Sequence, residues 1–190
     1  MKYIDPDGNE ILRYSDAYTM QDSRWGKDSV GNGSKPMSAI GCAVTLVAKA
    51  LTRLLNPGDF TVSPKNINSN KGNFTGSNID MSKAAGDYGV SYDYWTTKTD
   101  LKAKLNELKQ SDQSYAVGAQ VKYNADGDTH FVGVNDIATF DGKDYIEVSP
   151  TSGGDSSKPS RPRDSWMERD GKMYVELKDV VGIRQFSLED

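Results

Sequence analysis

The sequence predicts an α+β fold with its helices early and its strands late. Apolar residues recur at helical spacing after residue 40, short β-branched and aromatic runs fill the second half, and Asp-Gly pairs stand between those runs. Helical and strand patterns segregated along the chain build layers of helix on sheet rather than alternating β-α units. At 190 residues, and with about 150 residues to a typical domain, the chain is sized for one compact unit.

The elements follow in order. The polar, glycine-dotted stretch GKDSVGNGSKPMS gives way to a run in which Ala43, Leu46, Val47, Ala50, Leu51 and Leu54 share a face. This spacing predicts a helix over 40–55, with Ser38 as its N-cap and Asn56, Pro57 and Gly58 as its stop. Weaker helical patterns cover 77–88, closed by Gly89, and 100–108, where Thr99 caps and Leu101, Leu105 and Leu108 line up. The first half therefore reads as mostly helical. Strands are expected at 115–121, 130–134, 145–148, 173–177 and 181–186. Asp126-Gly127, Asp141-Gly142 and Asp170-Gly171 offer the positive φ angles of tight hairpins, so the strands are expected to form an antiparallel meander. The stretch from Ser149 to Ser165, SPTSGGDSSKPSRPRDS, reads as a long surface loop.

Composition narrows the chemistry. Apolar residues make up 36% of the chain and charged ones 26%, which is polar for a globular protein but able to form a modest core. The net charge of −4 provides no global positive field, so neither nucleic acid nor a membrane surface is an expected partner. No apolar stretch has the length of a signal peptide or a membrane span. A complete chain of this kind carries no address of its own, whereas a fragment would take its address from the parent. One cysteine, Cys42, and one histidine, His130, exclude an intrachain disulfide and a zinc site with four such ligands. Asp5-Pro6-Asp7-Gly8-Asn9 begins like a calcium loop, but Glu10 stands where that loop requires glycine and Asp16 holds the twelfth position. Neither a metal nor an organic cofactor is expected.

Cys42 falls in the first turn of the strongest helix, directly after Gly41. Free N–H groups and the helix dipole favour a thiolate there, the nucleophilic form of cysteine; the plain alternative is a small buried apolar residue. His130 opens the run HFVGV, where it is either a base at the rim of a sheet or a hydrogen-bonded structural histidine. If the helix packs on the sheet, helix start and strand start meet and form a nucleophile and base pair.

The unit Gln21-Asp22-Ser23-Arg24-Trp25-Gly26, the glycine-rich approach and Ile40-Gly41-Cys42-Ala43-Val44-Thr45 resemble the start of papain-like cysteine peptidases related to bacteriocin-leader peptidases. Pro64 with a short helix after it, Ala84-Ala85 to Tyr88-Gly89-Val90, the Leu101 to Leu108 helix, Tyr115-Ala116-Val117-Gly118 and His130-Phe131-Val132-Gly133-Val134 match in order, so the resemblance spans roughly 18–150. It implies a papain-like fold in which an N-terminal helix carrying Cys42 packs on an antiparallel sheet carrying His130. It further implies Cys42 as nucleophile, His130 as general base and acid, and Gln21 as an oxyanion donor beside the Cys42 N–H. Trp25 is read as packing. The family places Asp or Asn before a Pro on the strand after the histidine; here Ile146-Glu147-Val148-Ser149-Pro150 puts Ser149 in that place. A serine hydroxyl orients an imidazole without charging it, and Glu147 on the same strand face is the alternative orienter.

Lys2-Tyr3-Ile4-Asp5-Pro6-Asp7-Gly8-Asn9-Glu10 resembles the Asp-Pro-x-Gly end of the repeat shell in rearrangement-hotspot polymorphic toxins, the alternative being an ordinary turn-rich terminus. The resulting division is 1–15 as a terminal segment or the end of a larger secreted bacterial parent, and 16–190 as one papain-like peptidase domain. The expected substrate is a polypeptide or the stem peptide of a cell wall. An immunity or inhibitor protein is the expected partner of a toxin domain. The alternatives are a wall-peptide amidase or acyl transferase using the same site, and a catalytically degenerate binding module.

Overall fold

The computed structural model describes residues 11, 14, 18–55, 62–124, 126–152 and 165–188. The 2–10 segment, the Asn56-Pro57-Gly58 stop and residues 153–164 of the expected loop lie outside them.

The helical run begins earlier than the apolar pattern does and is broken once. Helix α1 spans Met37–Ile40 and α2 spans Cys42–Leu55, with Gly41 between them. Ser38 is therefore an interior residue of α1, and Pro36 stands at its N-cap, a correction to the expected cap. Gly41 suits the junction because a Cβ there would lie 2.5 Å from the Met37 carbonyl oxygen and 2.6 Å from its Sδ. Along α2, Leu46, Val47, Ala50 and Leu51 are fully buried. Each large one contributes roughly 1.5–3 kcal/mol by leaving water.

Helix α3, Pro64–Ser69, is opened by a capping box between Ser63 and Asn66. The expected 77–88 helix is shorter: strands β1 (Phe74–Thr75) and β2 (Asn78–Ile79) form a small hairpin through Gly76 at φ 60°, and only then does α4, Met81–Gly86, begin. Asp80 sets that start by accepting from the Lys83 N–H. Asp100 caps α5, Leu101–Lys109, in the same way, one residue after the expected Thr99.

The remaining strands are β3 (Val90–Thr96), β4 (Tyr115–Lys122), β5 (Thr129–Phe140), β6 (Lys143–Ser149), β7 (Trp166–Arg169), β8 (Lys172–Glu176) and β9 (Val180–Leu188). They form one antiparallel sheet in the order β3-β9-β4-β5-β6-β8-β7. The fold class is thus α+β, as the sequence predicts, but the meander is only partial, because β9 inserts between β3 and β4 and β8 between β6 and β7. Strand β3 also corrects the mostly helical first half: its half-exposed residues lack the apolar run of an interior strand. The Asp-Gly pairs do turn the chain. Asp141 and Gly142 (φ 50° and 74°) and Asp170 and Gly171 (φ 52° and 73°) close β5 to β6 and β7 to β8 as two-residue turns, while Gly127 (φ 88°) sits in a longer loop between β4 and β5.

The sheet has a core on each face. Helix α2 packs over β4, β5 and β9. Gly118 lets it come close, since a Cβ there would meet a Leu46 methyl at 2.4 Å. On the opposite face Leu101, Leu105 and Leu108 of α5 join Val117, Ala119, Val121, Val132, Val134 and Ile183. Among the described residues no helix is long and apolar enough to cross a membrane.

Candidate active site

Four segments converge where α2 and β5 begin. Phe131 follows His130 on β5, and its backbone N–H, with those of Ala43 and Cys42 itself, is turned to the Cys42 sulfur and favours the thiolate. The Phe131 carbonyl accepts from the Thr151 hydroxyl at 2.6 Å, and the Thr151 carbonyl accepts from the Met20 N–H at 2.7 Å. Cys42, the His130–Phe131 junction, the loop after β6 and the segment holding Gln21 are therefore neighbours.

His130 is buried, 7% exposed. Strand alternation puts its side chain on the face of Val132 and Val134, whereas Phe131 faces α2. The ring lies against Tyr123, with centroids 4.7 Å apart and planes tilted by 37°, and Nε2 lies 3.0 Å from Thr151 Oγ1 and 3.1 Å from Ser152 Oγ. The Thr151 proton is committed to the Phe131 carbonyl, which only accepts, so Thr151 Oγ1 must receive the Nε2–H of the neutral ring. This assigns the tautomer: the proton sits on Nε2 and the lone pair on Nδ1. Among the described residues no hydrogen bond joins the Cys42 thiol to the imidazole.

Burial controls both titrations. It pushes the Cys42 thiol above the ordinary value despite the three N–H groups aimed at it, and it lowers His130 from 6.5 to about 4. The helix-start argument for a thiolate thus identifies a real contribution that desolvation outweighs. Near neutral pH the resting pair is thiol and imidazole.

Gln21 sits beside α1, with its Nε2 donating to the Ser38 carbonyl at 3.3 Å. Trp25 packs, 3% exposed as a residue, with its Nε1–H held by the Thr19 carbonyl at 2.8 Å. The two expected orienters are engaged elsewhere. Ser149 Oγ accepts from Lys49 Nζ at 2.8 Å, and Glu147 accepts from Lys172 Nζ at 3.0 Å. The β5–β6 register explains this correction, because Gly133 pairs with Ser149, and continuing that register toward His130 brings Thr151 and Ser152 opposite it. The sequence signal for these two is only a Thr-Ser pair after Pro150; Tyr123 has no signal apart from the fold. Among the described residues no group of three or more His, Cys, Asp or Glu side chains is placed to hold a metal ion.

No model of a known protein family matches the chain, and no curated protein matches it significantly.

Proposed function

We propose that the protein is a cysteine hydrolase of peptide bonds, with Cys42 as nucleophile and His130 as general base and acid. The observation that carries this reading is the juncture itself: α2, which the only cysteine of the sequence opens, packs on β5, which holds the only histidine, and the Phe131 backbone favours the Cys42 thiolate. In the reaction, which requires the imidazole to turn from the Val132 face toward the α2 side of the sheet, His130 Nδ1 takes the thiol proton as sulfur attacks the carbonyl carbon. The oxyanion collapses, the C–N bond breaks, and the imidazolium returns the proton to the leaving amine. Water, deprotonated by Nδ1, then attacks the thioester and releases the acid and the thiol. The Cys42 N–H and the Gln21 carboxamide are the oxyanion donors in this scheme, which requires Gln21 Nε2 to leave the Ser38 carbonyl. Thr151 sets the tautomer of the resting ring, with the proton on Nε2 and the lone pair on Nδ1.

The experiment is peptide hydrolysis by the wild-type chain, Cys42→Ala and His130→Ala. Loss of at least about 1,000-fold in kcat/KM in both variants supports the reading, and unchanged turnover in either overturns it. A second reading, a papain-like module that binds peptides without cleaving them, is favoured by the missing thiol-to-imidazole hydrogen bond; any Cys42-dependent turnover excludes it.

A further inference from the structure

Beside this juncture lies a cation the mechanism does not use. Arg184 of β9 is 6% exposed, and its guanidinium lies between two rings, with Cζ 3.7 Å from the Tyr94 centroid and 5.3 Å from that of Phe131. Its Nη2 donates to Gln120 Oε1 at 2.9 Å, and its Nη1 makes a long 3.4 Å contact with the Ile183 carbonyl. Among the described residues no carboxylate pairs with it. Five N–H donors against three acceptors, the Gln120 and Ile183 oxygens and the Tyr94 hydroxyl, leave bonding capacity, and a buried guanidinium without a counter-charge is costly to keep. Desolvation accordingly lowers its pKa, partly offset by the nearby Tyr92 and Tyr94.

The position connects this cation to the thiol. Phe131 serves both groups, its N–H on the Cys42 sulfur and its ring beside the Arg184 guanidinium. Toward solvent, the Gln120 carboxamide joins Arg184 to exposed Thr129, with its Nε2 donating to Thr129 Oγ1 at 3.0 Å, and Tyr94 is 47% exposed. Gly182 makes room beneath the cation, since a Cβ there would lie 3.1 Å from Arg184 Nη1.

We infer that Arg184, with Gln120, forms a carboxylate-binding subsite that selects peptides carrying an acidic group within about two residues of the cleaved bond. The inference rests on the peptidase reading and names its substrate class. A planar guanidinium offers paired parallel N–H groups that match a carboxylate, and in a desolvated setting it discriminates sharply against the neutral amide of the same shape.

The test is a synthetic peptide library in two arms. In the first, the wild-type chain cleaves the library and the new termini are identified by mass spectrometry. The expected result is at least about tenfold enrichment of Glu and Asp over Gln and Asn within two residues of the cut, lost in Arg184→Gln and partly kept in Arg184→Lys. Cleavage without acidic preference overturns the subsite and leaves the peptidase reading standing. In the second arm, Cys42→Ala is equilibrated with the same library and the retained peptides are sequenced. Acidic enrichment there, with no wild-type cleavage, keeps the subsite and overturns the peptidase reading, while neither binding nor cleavage overturns both. The wild-type preference is itself decisive if Arg184→Gln fails to fold.

Discussion

Thr151 Oγ1 stands between a carbonyl that can only accept and an imidazole nitrogen, so a single hydroxyl proton decides which histidine tautomer exists. Thr151→Val keeps the shape and removes both bonds. It is expected to lower kcat/KM about 10- to 100-fold while Thr151→Ser stays near wild type; equal activity of the Val and Ser variants would sink the positioning role. His130 supplies a pH prediction at the same scale. In the unfolded chain it takes a proton near 6.5, and in the fold it resists protonation down to about 4. The unfolded state therefore binds more protons as pH falls through that window, and stability declines there, by on the order of 3 kcal/mol at full extent; above 6.5 the contribution is complete. Urea unfolding of wild type and His130→Gln at pH 7 and pH 4.5 isolates this, because the stability difference between the two must change with pH. For Cys42, burial predicts alkylation slower than that of a free thiol at neutral pH, accelerating as pH rises. Faster labelling at pH 7 would contradict that direction.

At the scale of elements, close approach of α2 to the sheet is what brings Cys42 to β5. Gly118 and Gly41 both sit where a Cβ has no room. Gly118→Ala is expected to cost about 1–3 kcal/mol by pushing Leu46 away, and to lower turnover as well, read by thermal unfolding and hydrolysis rate together. Local chemistry made several elements legible. The Leu46 to Leu54 periodicity marks α2, and the Asp141-Gly142 and Asp170-Gly171 turns mark two hairpins, because these signals depend on neighbours a few residues away. The α1 start at Met37 and the edge strand β3 were not legible. The first has no apolar period of its own, and the second gains its hydrogen bonds from β9, about ninety residues downstream.

Across the whole molecule, β9 is the strand on which the architecture depends. It pairs with β3 on one side and β4 on the other, and it contributes Phe186 to the α2 core and Ile183 to the opposite one. Ending the chain after Asp179 is expected to abolish cooperative unfolding and leave a protease-sensitive species, since β3 would lose the strand it pairs with among the described residues; a sharp thermal transition in the truncated chain would argue against this. By itself the sequence determined the fold class, the helix that presents Cys42, the strand that presents His130 and the order in which they come. Periodicity and turn chemistry are local, and those features need nothing more. Only the tertiary structure decided that Thr151 and Ser152, rather than Ser149 or Glu147, attend the imidazole, that burial outweighs the helix start at Cys42, and that the Arg184 guanidinium lies against the Phe131 ring. Each of these depends on strand register and on desolvation, which arise only when segments distant in the chain pack together.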